Sequence, residues 1–196
     1  MKIGFDAKRA FLNASGLGNY SRQLISSLAE YFPQHEYFLC TPARSGLFSI
    51  ESNEKQLKVI EPHGIWKTFH SVWRSTRIIS DLKRNRVELY HGLSNELPIG
   101  ISKSKIKSVV TIHDLIFLRH PEFYPATDRN IYSRKSKKAC LEADHIIAIS
   151  ERTKNDIIEF YKIPEEKISV IHQSIKPSFF VKQSEEQLDF VKKKFS

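Results

Sequence analysis

The chain has 196 residues, of which 40% are hydrophobic and 27% charged, a composition typical of a globular protein with one large domain or two small ones. It has no apolar run of the about 18 residues that a membrane-spanning helix needs and no signal-peptide pattern at its start, so a cytoplasmic protein is expected. The net charge of +9 favours acidic partners, namely phosphorylated small molecules, anionic lipid surfaces or nucleic acid.

Metal and nucleic-acid chemistry are not indicated by the sequence. Cys40 and Cys140 lie far apart and outside any Cys-x-x-Cys spacing, so they predict buried thiols rather than a metal site or a disulfide framework. Zinc-finger spacing, an RNP-like aromatic strand and basic repeats are also missing, which disfavours a nucleic-acid-binding protein.

The first residues predict a strand, a glycine loop and a helix. Residues 3–5 form a short apolar strand, Asp6 a polar bend, and the helix begins near Gly18 or Asn19. A helix N-terminus leaves about four N–H groups unpaired and suits a phosphate or carboxylate, which Gly16 and Gly18 would let approach. An ordinary strand-to-helix turn has the same pattern, so the loop alone leaves both interpretations open.

The rest of the chain alternates strands and helices. Further strands are predicted at residues 37–40, 57–60, 87–91, 107–112, 145–149 and 168–172. The first helix continues to Tyr31, because Tyr20, Leu24, Leu28 and Tyr31 recur at helical spacing on an apolar face. Further helices are predicted at residues 65–84, 128–142 and 151–161, the last one capped by Ser150, and residues 43–55 are predicted as a loop. This alternation predicts an α/β fold with a doubly wound parallel sheet of about seven strands and helices on both faces.

The helix predicted at residues 65–84 allows two interpretations. Trp66, Phe69 and Trp73 lie on one side, and most of the basic residues lie elsewhere. Such a helix can rest on an anionic membrane surface. More commonly, the aromatic side packs in the core and the basic face is solvated.

Polar residues follow four of the predicted strands, in loops at residues 6–19, 91–95, 113–114 and 150–151. Ligands of parallel α/β sheets bind beyond the carboxyl ends of the strands. The fold therefore predicts that these loops meet at one edge of the sheet and form a ligand site there.

Two common nucleotide-binding motifs do not fit the glycine loop. The G-x-G-x-x-G motif needs a third glycine where Ser21 stands, and an acidic residue after the second strand, where the chain has Cys40, Thr41 and Pro42. A P-loop needs Gly-Lys-Ser/Thr, which does not follow the glycines. Hydride chemistry is therefore disfavoured, and no carboxylate pair suggests a glycosidase.

Five segments carry a resemblance to a known family. They are IGFDAKRAFLNASGLGNYSRQLISSLA, ELYHGLSNELP, SVVTIHDLIFLRHPEFYP, EADHIIAISERTKNDII and EEKISVIHQSI. In this order they resemble the N-terminal half of the retaining, family 4 glycosyltransferases of GT-B fold, and look closest to bacterial mannosyltransferase-like members that build lipopolysaccharide and capsule. The His-Asp-Leu and Ser-Glu-x-Thr-Lys-x-Asp segments are the most specific.

The resemblance implies two Rossmann-like domains that face each other across a cleft. Residues 1–180 would form the acceptor-binding domain, and residues 181–196 the start of the interdomain segment. The residues after position 180, where that family's second domain would begin, contain no Glu-x7-Glu segment, so the nucleotide-sugar-binding domain is expected to be absent and the chain inactive alone. The reaction would transfer a sugar, mannose being one candidate, from a nucleotide sugar to a glycan or lipid-linked acceptor. No metal or other cofactor is expected, and peripheral contact with an anionic membrane is a further expectation.

The resemblance also assigns the donor side of the site. Residues 16–19 (Gly16, Leu17, Gly18 and Asn19) would bring backbone N–H groups to the donor diphosphate.

At the transfer centre, His113 would contact the donor sugar or the acceptor hydroxyl, and Asp114 would orient His113 or its loop. Without the resemblance, His113 could also be a histidine that is hydrogen-bonded at the end of a strand, and Asp114 could be a residue that caps a turn. By position, the residues that would border the acceptor pocket are Asp6, Arg9, His91, Ser94, Asn95 and Tyr124.

Two other classes of function stay open. One is a non-catalytic module in which the same loops hold a phosphate or a sugar. The other is a membrane-surface domain that uses Trp66, Trp73 and the neighbouring basic residues.

Overall fold

The computed structural model describes residues 1–49, 56–175, 180–181 and 184–195, so part of the loop predicted at residues 43–55 lies outside the described residues. Within these ranges the chain forms a parallel sheet of seven strands in the order β3-β2-β1-β4-β5-β6-β7. The strands are β1 (Lys2–Asp6), β2 (Glu36–Cys40), β3 (Leu57–Ile60), β4 (Leu89–Gly92), β5 (Lys107–Ile112), β6 (His145–Ala148) and β7 (Ile168–Val170). The predicted doubly wound sheet is confirmed.

Eight α-helices are present in the described ranges. They are α1 (Lys8–Leu12), α2 (Gly16–Tyr31), α3 (His70–Val72), α4 (Ile78–Arg84), α5 (Ile116–Arg119), α6 (Ala126–Glu142), α7 (Glu151–Tyr161) and α8 (Glu185–Phe195). The predicted cap of α7 is confirmed, because the Ser150 hydroxyl accepts a hydrogen bond from the Thr153 amide at 3.1 Å. None of the helices among the described residues is both long and apolar enough to cross a membrane.

Both faces of the sheet are covered, as β2 illustrates. Successive side chains of a strand point to opposite faces. Tyr37 and Leu39 pack in one core with α2, whereas Phe38 and Cys40 pack in a second core with α4. A third core joins β5, β6, α6 and α7 and includes Cys140. Both cysteines are buried free thiols, as predicted.

The segment predicted as one helix at residues 65–84 is interrupted. A 3₁₀ turn (Gly64–Lys67) precedes α3, and a π-helical turn (Trp73–Arg77) joins α3 to α4. Trp73 is only 1% exposed, and its Nε1 donates to Asp81 Oδ2 at 2.7 Å. The interpretation of Trp73 as a membrane anchor was therefore wrong, because the core of the domain buries this side chain.

The strand order places the candidate site. β1 pairs with β2 on one side and with β4 on the other, so the direction of winding reverses between β1 and β4. Loops that leave the carboxyl ends on the two sides of such a point diverge and open a crevice. The predicted polar loops after β1, β4 and β5 all leave from this edge.

Candidate functional site

The loop after β1 ends in a capped helix N-terminus. The Asn13 side-chain oxygen accepts hydrogen bonds from the amides of Ser15 at 2.9 Å and Gly18 at 3.2 Å. A Cβ on Gly18 would lie 1.7 Å from the Asn13 carbonyl oxygen. Gly18 is therefore required for close packing against Asn13, and α2 begins at Gly16, two residues before the earliest predicted start.

The start of α2 leaves two amides available. Within the described part of the chain, the Gly16 and Leu17 amides have no hydrogen-bond acceptor, whereas the Asn19 amide donates to the Ser15 carbonyl at 3.0 Å. A Cβ on Gly16 would meet no atom within 4 Å, so the space beside it is open. Of the four residues predicted to hold the donor diphosphate, Gly16 and Leu17 thus present free donors at a positive helix end.

A cavity of about 250 Å³, here called the polar cavity, lies on one side of this helix end. Residues from three predicted loops line it, namely Arg9, Leu17, Ser94, Asn95 and Asp114, and Tyr124 lines it from the segment before α6. Four of the six residues predicted for the acceptor pocket are therefore brought together. The aromatic rings of Phe117 and Tyr132 and the side chains of Glu96, Lys135 and Ser136 complete its wall.

Asn95 fixes the loop after β4 against β5. It adopts a left-handed conformation with φ of 60°, which asparagine tolerates better than most residues. Its amide donates to the Thr111 carbonyl at 3.0 Å, and its side-chain oxygen accepts from the His113 amide at 3.0 Å. The two loops that carry the predicted site residues are thus joined directly.

An ion-pair network extends from the wall of the polar cavity, where Glu96 and Lys135 lie, to the buried Asp6. Arg74 binds Asp6 Oδ2 at 2.7 Å and also contacts Glu96, which Lys135 reaches at 3.1 Å. Burial alone would raise the pKa of Glu96, but the two cations outweigh it and lower this pKa. Asp6 is buried in this network and does not line the polar cavity.

His91 is also placed beneath the cavity walls. It is buried against the Phe5 ring, and its Nε2 lies 2.8 Å from Thr111 Oγ1. Burial, and secondarily the neighbouring His113, lower the pKa of His91 to about 4. The residue is therefore a neutral, buried histidine that supports the site from below.

His113 is buried, and both of its ring nitrogens have hydrogen-bond partners. It is 7% exposed, and its Nε2 lies 2.9 Å from the Leu93 carbonyl oxygen. Its Nδ1 lies 2.9 Å from the side-chain nitrogen of Gln173, and its own carbonyl accepts from the Thr153 hydroxyl at 3.0 Å. Burial lowers the pKa of His113, and Arg9 adds to this while Leu93 and Asp114 oppose it. The imidazole is therefore neutral at neutral pH.

The hydrogen bond of Asp114 goes to its own loop, and its effect on the imidazole is electrostatic. Its carboxylate accepts a hydrogen bond from the Ile116 amide at 3.2 Å, which caps the turn that leads into α5. The same side chain lines the polar cavity. It therefore shapes the loop and presents a negative charge to the cavity.

A second, larger cavity of about 540 Å³ lies on the other side of the α2 N-terminus. Gly16, Asn19 and Tyr20 line it from α2, and residues 171–175 line it from the segment after β7. The Tyr20 ring meets the His113 ring edge-on, with centroids 4.8 Å apart. The start of α2 thus separates the two cavities, and His113 lies next to the wall of the larger one.

Sequence reasoning missed several residues of this site. Tyr20 was placed on the apolar face of α2 by its helical spacing, and Gln173 stands in the last resembling segment without any pattern that marks it. Arg74 and Glu96 are 22 residues apart and meet only in the fold. No cluster of three or more His, Cys, Asp or Glu residues that could hold a metal ion is found in the described ranges.

The family model described as Glycosyltransferase Family 4 matches residues 14–179. The chain belongs to glycosyltransferase family 4. This family 4 chain is 22% identical over 192 residues to the O-antigen chain mannosyltransferase RfbU of Salmonella typhimurium, and the match covers 91% of this chain and 50% of the relative. The chain thus spans about half the length of the curated relative that it matches.

Solved structures show the same architecture. Anabaena Alr3699/HepE in complex with UDP and glucose superposes with a TM-score of 0.65 at 12% identity, over 100% of this chain and 50% of that one. A glycosyltransferase from Rickettsia africae superposes with a TM-score of 0.56 at 16% identity, over 99% of this chain and 48% of that one. The Rossmann-like fold expected from the resemblance, the N-terminal half of a GT-B fold, is therefore confirmed.

Proposed function

We propose that this family 4 chain is the acceptor-side domain of a glycosyltransferase in cell-surface polysaccharide synthesis. It binds a glycan or lipid-linked acceptor, while a second domain delivers the nucleotide sugar. The observation that carries the proposal is the position of the α2 N-terminus, which has free amides at Gly16 and Leu17 and stands between two cavities beside His113.

The donor diphosphate is assigned to the helix end. Two unpaired amides and the positive end of the helix dipole of α2 suit a phosphate group. Gly16 leaves open space beside this end. The related Anabaena structure contains UDP and glucose, which supports a nucleotide sugar as the ligand.

The acceptor is assigned to the polar cavity. Arg9, Ser94, Asn95 and Asp114 supply hydrogen-bond donors and acceptors, and the Tyr124 ring supplies an apolar surface. Sugar rings need this combination, because they carry many hydroxyls around an apolar ring face.

His113 is assigned to the transfer centre as a hydrogen-bond acceptor. Its Nε2 proton is engaged by the Leu93 carbonyl, so Nδ1 is the atom that can accept from a sugar hydroxyl. The Gln173 amide occupies this position in the structure, and a hydroxyl of the ligand replaces it.

The transferred sugar is mannose in this proposal, because the curated relative is a mannosyltransferase. Residues 1–180 form the acceptor-binding domain, residues 181–196 begin the interdomain segment, and the donor-binding domain is a separate part of the active protein. The chain alone should therefore transfer no sugar, and no metal is assigned to the reaction. Robust turnover of nucleotide sugars by the chain alone would contradict this division.

Acceptor binding can be tested with a matched pair of tyrosine variants. Mannose-containing oligosaccharides should shift the amide NMR signals of Ser94 and Asn95 in the wild type, and Tyr124→Ala should weaken their binding by about tenfold, or 1.4 kcal/mol. Tyr31→Ala is the control, because Tyr31 is 71% exposed at the far end of α2. Equal affinities for the two variants, or shifts confined to other surfaces, would refute the acceptor site.

A peripheral membrane contact is the second proposal, and exposed apolar side chains around α3 favour it. Ile65, Phe69 and Val72 are 66%, 57% and 49% exposed, and Lys67 lies among them. Such a surface can insert at the cytoplasmic face of an anionic membrane. A Phe69→Ser variant should sediment less with anionic vesicles than the wild type, and unchanged sedimentation would refute the contact.

A further inference from the structure

Gln173 reaches His113 from outside the sheet. It stands three positions after the end of β7 and 60 residues after His113, and its side-chain nitrogen lies 2.9 Å from His113 Nδ1. Gln173 and Tyr20 both line the large cavity, and both contact the imidazole. His113 therefore borders this cavity through these two side chains.

The polarity of the two ring contacts defines one tautomer. A backbone carbonyl can only accept a hydrogen bond, so His113 Nε2, next to the Leu93 carbonyl, carries the proton. Nδ1 then has a lone pair, and the amide NH₂ group of Gln173 donates to it. If Nδ1 were also protonated, two donors would face each other.

We propose that Gln173 is a positioning residue for His113. Together with the Leu93 carbonyl at Nε2, its side-chain amide at Nδ1 holds the imidazole in the neutral Nε2–H tautomer, with the Nδ1 lone pair directed to the large cavity. A ligand hydroxyl that takes the place of the amide is also a donor, so the exchange preserves the tautomer. Only this exchange rests on the proposed function; the control of the tautomer by Gln173 does not.

The other groups around the imidazole do not set this polarity. The titratable and charged groups that face His113 come from α1, α2, β4 and its own loop, and they are Arg9, Tyr20, His91 and Asp114. Within the described ranges none of them hydrogen-bonds to Nδ1. A carboxylate at position 173 would reverse the polarity, because it accepts a hydrogen bond from a protonated Nδ1 and so favours the imidazolium.

The test is NMR of the 196-residue chain with ¹⁵N-labelled histidine, followed through a pH titration. The wild type should show a single Nε2–H tautomer for His113. Gln173→Ala should keep the proton on Nε2, which still faces the Leu93 carbonyl, but should shift the ¹⁵Nδ1 signal and raise the pKa of His113, because the donor that opposes protonation of Nδ1 is lost. Gln173→Glu should raise this pKa further, by about one unit or more relative to the wild type. Gln23→Ala is the matched control, because Gln23 lines the same cavity and its side chain bonds Ser27 instead.

Unchanged ring ¹⁵N signals and an unchanged His113 titration in both Gln173 variants would overturn the inference. Loss of the folded amide spectrum in both variants would also contradict it, because Gln173 would then support the fold rather than the tautomer. The readout involves no sugar transfer. If the chain binds no acceptor but the Gln173 variants show the altered His113 signals and titration, only the proposed function is refuted; the reverse result refutes this inference alone.

Discussion

Replacing Gly18 by alanine should destabilise the domain, because the start of α2 has no room for a methyl group. The new Cβ would lie 1.7 Å from the Asn13 carbonyl oxygen, whereas real Cβ contacts under 3.0 Å essentially do not occur, so the two must separate by at least 1.3 Å. The Asn13 carbonyl is held by Arg22 at 2.9 Å, and the Asn13 side chain holds the Gly18 amide at 3.2 Å. The separation therefore breaks the cap of the helix.

The size of the effect follows from three contributions. Forcing a methyl group into a packed contact costs about 1–3 kcal/mol, and loss of the capping hydrogen bond costs about 1 kcal/mol. The better helix propensity of alanine returns about 1 kcal/mol. We expect a net loss of about 1–3 kcal/mol in the free energy of unfolding, or a decrease of about 2–12 °C in Tm.

Denaturant titration and thermal unfolding, both followed by circular dichroism, measure this loss. Gly16→Ala is the matched control. It lies in the same turn, and its Cβ would meet no atom within 4 Å, so its stability should stay within about 1 kcal/mol of the wild type. Equal stability of the Gly18 and Gly16 variants would refute the close approach of Asn13 to α2.

Three further predictions concern stability. Arg74→Leu leaves the buried Asp6 carboxylate without its partner and should cost about 3–5 kcal/mol in urea unfolding, whereas Arg84→Leu, which breaks an exposed pair, should cost less than about 1 kcal/mol. Ser150→Ala should cost about 1 kcal/mol through the lost cap of α7, and no change in the urea midpoint would contradict the cap. The pKa of His91 is lowered to about 4, so the unfolded chain binds more protons below pH 6.5, and the free energy of unfolding falls by about 3 kcal/mol as the pH drops from 6.5 to 4. His91→Phe should flatten the dependence of this free energy on pH in that range. An unchanged slope would count against a neutral buried His91.

The sheet could be predicted because its signals are local. The apolar run of β5 at residues 107–112 and the Ser150 cap before α7 each specify an element within a few positions, and both were found as predicted. Parallel strands then fix which loop ends meet. The family resemblance, rather than the strand geometry, assigned Ser94, Asn95 and Tyr124 to one acceptor pocket, and all three line the polar cavity.

The parts of the site that were missed depend on contacts between distant residues. α2 begins early because Asn13 caps it with a side chain, a contact that helical spacing does not reveal. Asp6 was expected in the acceptor pocket, but Arg74, 68 residues later, holds it below the pocket. Gln173 meets His113 only because β7 ends next to β6.

Transfer of a labelled sugar tests the central claim most directly. In the proposed two-domain protein, the wild type should transfer the sugar from a nucleotide sugar to a glycan or lipid-linked acceptor. The variant His113→Ala should lose about 100-fold in kcat while its circular dichroism and acceptor affinity stay unchanged. Transfer by His113→Ala at the rate of the wild type would contradict the role of His113, and absence of transfer by a wild type that binds both substrates would contradict the proposed function itself.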